Sequence, residues 1–442
     1  MDLFVIGAGH VGLVTAVGFA RLGHRVTVAD IDAARIASLC DGRPPVFEPG
    51  LREAVAAGLA SRRLSFTTDT MPPAEARFSL VCVGTPATPQ GPLSTEQVES
   101  ALATLLRVAP PDHVIVIRST LPIDGADRLL RVAAANGPRP AIVLNPEFMR
   151  EGSALVDFER PSRVVVGWLE PSDRSAAEAV AGLYAPLAAR TLISDGRSVT
   201  LIKLCSNVFL AMKVAFANEL ARICDSVGAE VETVTVGLGM DDRIAPGFLR
   251  PGPGLGGSCL PEQSIALATE SVARGVAAPL VAAIGRSNDL HQHSIVRRLQ
   301  ALLGGPPSLA GTRVALLGLA FKAGTDDVRH SPALALARCL RERGAFVTGY
   351  DPQAGDNAAR ADPELLVAPD VESALSDADA VMITTEWPAF AALEWTRLAG
   401  CLRGDLVYDL RRVGMPEAIG AAGLRYEALG RAGGTPRTAE DG

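Results

Sequence analysis

The chain has 442 residues, 48% of them hydrophobic, more than one core can bury, so two or three domains are expected. A net charge of -7 with no Lys/Arg run argues against a nucleic-acid partner and requires locally placed cations for any anionic small substrate. The seven cysteines are scattered with no C-x-x-C pair, which indicates neither a disulfide framework nor a metal site and fits a reducing cytoplasm. Met1-Asp2-Leu3 passes straight into a strand pattern, leaving no room for a signal peptide, and no apolar run is expected to reach membrane-spanning length. The expectation is a soluble cytoplasmic protein with no membrane partner.

In chain order, Leu3-Phe-Val-Ile6 is a short β-rich run followed at once by Gly7-Ala-Gly9-His10-Val11-Gly12. A helix is expected over 13–22, then a strand over 23–30 that ends in Asp30. The acid lies 18 residues beyond Gly12, near the spacing of a dinucleotide-binding βαβ unit. There the glycines admit a pyrophosphate at the helix N-terminus and the acid bonds the adenosine ribose. Asp30 favours NAD over NADP, because a 2′-phosphate would meet a carboxylate.

Strands expected over 78–83, 113–118 and 140–145 end in Gly84-Thr85-Pro86, Ser119-Thr120 and Pro146-Glu147-Phe148. In doubly wound sheets ligands sit at the carboxyl ends of strands, so Thr85, Thr120 and Glu147 fall on one rim by topology. Each is also compatible with a plain turn residue.

A single helix without proline or internal glycine is expected over 198–228, about 45 Å long. Such a helix links domains or forms a subunit interface. Lys203 and Asn207 share one of its faces. They read either as a snorkelling lysine with a helix-helix hydrogen bond or as two groups entering a ligand pocket.

Gly254-Leu-Gly-Gly-Ser-Cys-Leu-Pro-Glu-Gln263 is expected to be a loop whose backbone can approach a ligand closely. Cys259 suits a nucleophile if nearby positive charge ionises its thiol; the plain alternative is inert filling of a turn. The linker Gly304-Gly-Pro-Pro-Ser308 precedes further strands over 311–318, 345–350, 380–384 and 405–409. This second doubly wound half lacks the three-glycine fingerprint and could bind a nucleotide without being a second NAD site. The Gly/Thr/Arg/Glu-rich tail is expected to be disordered.

Taken together, these strings resemble the UDP-glucose/GDP-mannose dehydrogenases, the nucleotide-sugar 6-dehydrogenases, from end to end. The matches are Gly7 to Gly12, Phe47-Glu-Pro-Gly-Leu51, Val83-Gly-Thr-Pro86, Arg118-Ser-Thr120 and Asn145-Pro-Glu-Phe-Met-Arg-Glu-Gly152. They continue through Lys203-Leu-Cys-Ser-Asn207, Phe216-Ala-Asn-Glu219, Gly256-Gly-Ser-Cys259, Phe321-Lys-Ala-Gly-Thr-Asp-Asp327 and Thr385-Glu-Trp387. The resemblance implies an α/β architecture of two doubly wound Rossmann-like domains joined by a long central helix. Expected are an NAD-binding domain over 1–197, a central dimerisation domain with the cysteine loop over 198–303, a nucleotide-sugar domain over 304–430 and a flexible tail over 431–442.

It also implies a four-electron, NAD-dependent oxidation of a sugar C6 alcohol to the carboxylate. Cys259 would carry thiohemiacetal and thioester intermediates. Glu147 would handle the proton or water, Thr120 would hold that water, and Lys203 with Asn207 would stabilise the oxyanion. Gly7, Gly9, His10, Val11, Gly12, Asp30, Arg35, Thr85, Thr120, Glu151 and Arg329 match cofactor contacts. The nucleotide-sugar site is matched by Phe148, Met149, Arg150, Glu151, Lys203, Asn207, Arg243, Phe248, Arg250, Gly254, Gly256, Phe321, Lys322 and Arg411. A homodimer paired through the long helix is implied, with Arg243 reaching a neighbouring subunit.

The pattern breaks after the cysteine, where the family reads Lys-Asp and this chain reads Glu262-Gln263. Gln263 cannot exchange a proton near neutral pH but can still hydrogen-bond. Glu262 brings a negative charge that would raise the thiol pKa unless the side chain turns away. Thr200 and His330 stand where glutamate is usual. Three readings follow: full oxidation of UDP-glucose; GDP-mannose or an unusual nucleotide-linked substrate, with a halt at the aldehyde; and a catalytically silent NAD- and nucleotide-sugar-binding relative.

Overall fold

The computed structural model describes residues 1–88, 91–135, 139–305 and 308–430. The tail expected from 431 and part of the linker expected at 304–308 lie outside them. The chain divides into two compact units, Met1–Asn207 with Ile265–Ala277, and Val208–Ser264 with the chain from Ala278 onward.

The first unit is built on eight strands: β1 Asp2–Ile6, β2 Arg25–Ala29, β3 Leu64–Thr67, β4 Ala76–Val81, β5 Val114–Ile117, β6 Ala141–Leu144, β7 Val164–Trp168 and β8 Thr191–Asp195. Their order is β3-β2-β1-β4-β5-β6-β7-β8, parallel up to β6, after which β7 pairs antiparallel to it. Runs such as Val114–Ile117 are buried throughout, as a sheet covered on both faces requires. One face packs Leu13, Val17 and Phe19 of the first helix with Phe158 and Tyr184. The other packs Val98, Leu102 and Leu105 with Leu129. The strand order reverses between β1 and β4, and that switch point fixes where a ligand can bind.

The second unit carries six parallel strands: β9 Arg313–Leu317, β10 Phe346–Tyr350, β11 Leu366–Val367, β12 Ala380–Ile383, β13 Leu406–Asp409 and β14 Arg425–Ala428. Their order, β11-β10-β9-β12-β13-β14, repeats that of β1 to β6. Asp351, just past β10, occupies the position that Asp30 occupies past β2. It already accepts the backbone N–H groups of Leu319, Ala320, Gln353 and Ala354 and the Trp387 indole N–H. Those five bonds leave it no capacity to read a ribose, in keeping with a half that is not a second NAD site.

Three sequence expectations change. The first helix spans His10–Arg21 rather than starting at 13, so Gly12 lies inside its first turn, where a Cβ would stand 1.8 Å from Gly7 O. The cysteine loop ends at Ser258, because Cys259–Ala273 is helical. Pro261 is tolerated in a first turn, and Glu262 favours the positive end of the helix dipole. Finally, the helix Gly196–Val227 is, by length and composition, apolar enough to cross a membrane, contrary to the expectation that no such run exists. Leu204, Val208, Ala211, Ala215, Ala217, Ala221 and Cys224 along it are buried within the protein, and Asp195 Oδ1 caps its start by accepting Ser198 N–H at 3.0 Å. It is a core helix.

Buried Asp409 ends β13 and shapes the turn that carries Arg411. Its Oδ1 accepts the N–H groups of Arg411 and Arg412, and its Oδ2 those of Val413 and Gly414 at 2.9 and 2.7 Å. Asp409→Asn sets an amide donor against the last two N–H groups. It is expected to cost about 3 kcal/mol, read as a lowered urea midpoint for the second unit.

Candidate active site

In the first unit, Gly7 has φ +100, a backbone that L side chains rarely adopt, and a Cβ there would lie 2.9 Å from Cys82 O. A Cβ on Gly9 would meet nothing within 4 Å, so the loop is open on that side. The first intrahelical bond runs from Leu13 N to Gly9 O at 2.9 Å. The N–H groups of His10, Val11 and Gly12 therefore head the helix, an arrangement suited to a diphosphate.

Asp30 Oδ2 accepts Ala8 N–H at 2.8 Å and Arg35 Nη1 at 2.9 Å, and Oδ1 accepts Asp32 N–H at 3.0 Å. Burial opposes its ionisation, but the N–H groups of Asp32 and Ala8 and the Arg35 guanidinium hold the carboxyl below its usual range. Three bonds leave one acceptor position for a ribose hydroxyl. These residues fit NAD.

Thr85, Thr120 and Glu147 leave the carboxyl ends of the adjacent strands β4, β5 and β6. Ser119 Oγ donates to Val83 O at 2.7 Å and ties the first two of these loops together. Lys203 is buried and donates from Nζ to Glu147 Oε1 and to Glu147 O, both at 2.8 Å. Glu147 Oε2 accepts Met149 N–H at 2.6 Å. Burial works against the charged carboxylate, but the Lys203 charge and hydrogen bond, Met149 N–H and the Arg118 charge together lower its pKa. The pair's contribution to stability is therefore present above the unfolded carboxyl pKa and is lost as pH falls through the depressed folded value.

Phe148 lies beside the same lysine, its ring centroid 5.4 Å from Lys203 Nζ and 4.0 Å from the Arg163 guanidinium. Arg150 is held by Asp157 through both carboxylate oxygens. Asn207 lies one turn beyond Lys203 on the same helix, half-buried.

In the second unit the glycine loop is packed without room for side chains. A Cβ on Gly256 would stand 2.8 Å from Phe321 Cβ, and one on Gly257 2.9 Å from the Phe321 ring. Gly257 N–H donates to Arg329 O at 3.0 Å. Arg411 donates to Phe321 O at 2.9 Å and to Thr384 O at 3.1 Å, and its Nη1 lies 2.9 Å from the Cβ position of Gly252. Lys322 Nζ sits 5.5 Å from the Phe321 ring centroid, and Arg250 donates to Arg412 O at 3.0 Å. The glycine loop, Phe321, Lys322, Arg411 and Arg250 thus form one group.

At the end of this loop Cys259 is exposed as the first residue of its helix. Gln263, one turn on, is buried. Glu262 is engaged by His330 Nε2 at 3.2 Å, so its charge has a partner.

Some expected site residues lie apart from these groups. Arg243 is 89% exposed at its side chain and pairs with Asp241. Phe248, at φ +63, is exposed on the same segment. Arg329, expected among cofactor contacts, instead joins the glycine-loop group through its carbonyl, and its side chain is bidentate to Asp327.

Polar side chains outside the expected site support these groups. Glu48 accepts His10, Gly152 N–H and Ala154 N–H. Arg118 donates to Asn145 Oδ1 and Tyr184 Oη, each at 2.6 Å. Asn218 and His291 hold both peptide groups of Gly252. The strings containing Glu48, Arg118 and Asn218 were visible, but nothing local tells what a buried polar side chain holds far along the chain.

Comparison with known proteins agrees with this arrangement. Residues 1–188 match the NAD binding domain of the UDP-glucose/GDP-mannose dehydrogenase family, 197–290 its central domain and 315–416 its UDP binding domain. A UDP-glucose 6-dehydrogenase of Rhizobium meliloti is 39% identical over 438 residues, covering 98% of this chain and 100% of that protein. One of Rickettsia felis is 36% identical over 438 residues, covering 97% and 96%. The structure of a UDP-glucose dehydrogenase from Pyrobaculum islandicum superposes with a TM-score of 0.87 at 35% identity, covering 98% of each chain. The chain belongs to the UDP-glucose/GDP-mannose dehydrogenase family.

Proposed function

We propose that this protein oxidises UDP-glucose at C6 to the uronate, with NAD as the oxidant. The observation that carries the reading is the exposed residue Cys259, at the head of a helix and at the end of a glycine loop packed onto Phe321. Relatives that cover nearly the whole chain and bear the name UDP-glucose 6-dehydrogenase support this substrate over GDP-mannose.

Bound NAD would supply the hydride acceptor, a fresh molecule for each of the two successive oxidations. Asp30, Arg35 and the glycine loop would hold its adenosine and diphosphate, with Thr85, Thr120, Glu151 and Arg329 serving further along. Between the oxidations the Cys259 thiolate adds to the C6 aldehyde carbon and forms a thiohemiacetal; the second oxidation leaves a thioester. A helix N-terminus favours that thiolate. Glu147 takes the proton of a water that Thr120 helps to hold, and that water releases the acid and returns the thiol. Lys203 and Asn207 bear the oxyanion charge. Phe148, Met149, Arg150, Gly254, Gly256, Phe321, Lys322, Arg250, Phe248 and Arg411 contact the nucleotide sugar. Gln263 orients by hydrogen bonding in place of an acid.

We assign the functional segments as 1–197 for cofactor, 198–303 for the cysteine helix and subunit pairing, and 304–430 for the nucleotide sugar. The cytoplasm suits a protein whose seven cysteines are all outside disulfides. A second copy of the chain is the proposed partner of the long helix. Phe209, Phe216 and Ile223 recur every seven residues along it and are 58%, 49% and 51% exposed, a seam suited to another helix. Arg243 would then serve the neighbouring subunit.

Purified protein given UDP-glucose is expected to yield two NADH per uronate, and Cys259→Ala to form no acid while binding NAD normally. One NADH per turnover would replace the acid product with the aldehyde, and binding without turnover would support a silent relative. Lys203→Met removes the main cation at a buried carboxylate. It should lower kcat about 100-fold or more and move the acid limb of the rate profile to higher pH, because burial then acts on Glu147 with less opposition. Phe216→Asp is expected to convert a dimer to monomers by light scattering.

A further inference from the structure

We propose that Glu48 is a positioning residue of the dinucleotide site, acting through His10: one buried carboxylate ties the head of the fingerprint helix to the turn that follows Glu147. His10 is the first residue of that helix, and its Nε2 lies 2.7 Å from Glu48 Oε2. The same oxygen accepts Gly152 N–H at 2.7 Å, and Oε1 accepts Ala154 N–H at 2.8 Å. The Glu48 side chain has no exposed surface, while the His10 ring keeps 19% of its own.

A carboxylate this deep must spend its lone pairs inside the protein. Two backbone N–H groups from one turn and an imidazole from another use them with little slack. The loop that receives the cofactor diphosphate and the turn carrying Glu147 and Glu151 are thereby set against each other by a residue belonging to neither.

The imidazole adds a charge to this geometry. The charged groups facing it are Glu48, from the segment before the Leu51–Ala60 helix, and Glu151 and Glu147, from the turn after β6. Burial disfavours the imidazolium, but the Glu48 hydrogen bond and the charges of Glu151, Glu48 and Glu147 outweigh it and raise the ring's pKa. A cation at the head of this helix adds to the helix N-terminus in attracting a diphosphate. Affinity for NAD should then be highest below the raised pKa and fall as pH rises through it. Without the Glu48 charge the ring gives up its proton at lower pH, and the fall moves with it.

The test is the dissociation constant of NADH, followed by its fluorescence from about pH 5.5 to 9, for the wild type, Glu48→Gln and His10→Gln. The last keeps a donor at the Nε2 position but cannot be charged. The wild type is expected to weaken by about fivefold across one step, the size of a partly screened charge contact. Glu48→Gln should show the step at lower pH, and His10→Gln should show none, binding as the wild type does in alkali. A flat wild-type profile, a step unmoved in Glu48→Gln, or a step that survives in His10→Gln would each overturn the proposal. A uniform loss of affinity in Glu48→Gln with the step in place would reduce Glu48 to a structural support. Should Glu48→Gln not fold, the presence or absence of the step in His10→Gln decides alone. Binding is the readout throughout, so failure to oxidise UDP-glucose would leave this result standing.

Discussion

Buried carboxylates that spend their lone pairs on backbone N–H groups organise both halves of this protein. Asp30 at the end of β2 holds Ala8, Asp351 at the end of β10 holds Leu319 and Ala320, and Asp409 at the end of β13 holds four successive residues. Each fixes a loop at the ligand-binding rim of a parallel sheet, where strand hydrogen bonding has stopped and loop N–H groups still need acceptors. The number of bonds decides what else the acid can do. Asp30 makes three and keeps room for a ribose hydroxyl, whereas Asp351, in the matching place, makes five and is purely a loop anchor. Two sheets of the same strand order thus differ in cofactor capacity through the arithmetic of lone pairs.

The Glu147–Lys203 pair follows another logic. Both groups are buried, and removing either partner leaves the other charge stranded at a cost of about 3–5 kcal/mol. Such a pair is a poor way to stabilise a fold, since hydrocarbon of similar volume would do as well. Its value lies in holding a carboxylate ionised where burial alone would protonate it, with Arg118 as a second cation behind it. A lysine that donates to both the side chain and the carbonyl of Glu147 also holds the turn itself, so charge and geometry are set together.

The strand ends, the glycine fingerprint and the long helix were legible in the sequence because each rests on a local pattern: an apolar run, glycine spacing, or an absence of helix breakers. The strands β7 and β8 were not singled out, nor were the short β3, β11 and β14. The cysteine helix starts earlier than its sequence implies, because the glycines before it signal a loop while the residues that wind the helix lie beyond the cysteine. Contacts distant in sequence were out of reach: Glu48 meets Gly152 and Ala154 104 and 106 residues away. Two departures from the family pattern, Glu262 and His330, looked independent on the chain and prove to be partners 68 residues apart. The negative charge introduced next to the cysteine's turn is thereby engaged by an imidazole from another segment.

The same economy governs the approach to Cys259. Gly252 opens the glycine loop, and both of its peptide groups are captured: Asn218 Oδ1 accepts its N–H at 2.8 Å, and the His291 ring donates from Nε2 to its carbonyl at 2.7 Å. Asn288 Oδ1 then accepts Leu255 N–H at 2.7 Å, three residues on. Burial pushes the His291 imidazole down to about 4, so near neutral pH the ring is neutral. Its one N–H is committed to the carbonyl, which fixes the tautomer. A loop rich in glycine has the most conformational freedom to lose, and three side chains from two helices, Asn218 and His291 buried and Asn288 half-buried, remove it. The freedom that lets the backbone pass close to Phe321 and Arg411 is therefore spent before any ligand arrives, and binding need not supply that ordering.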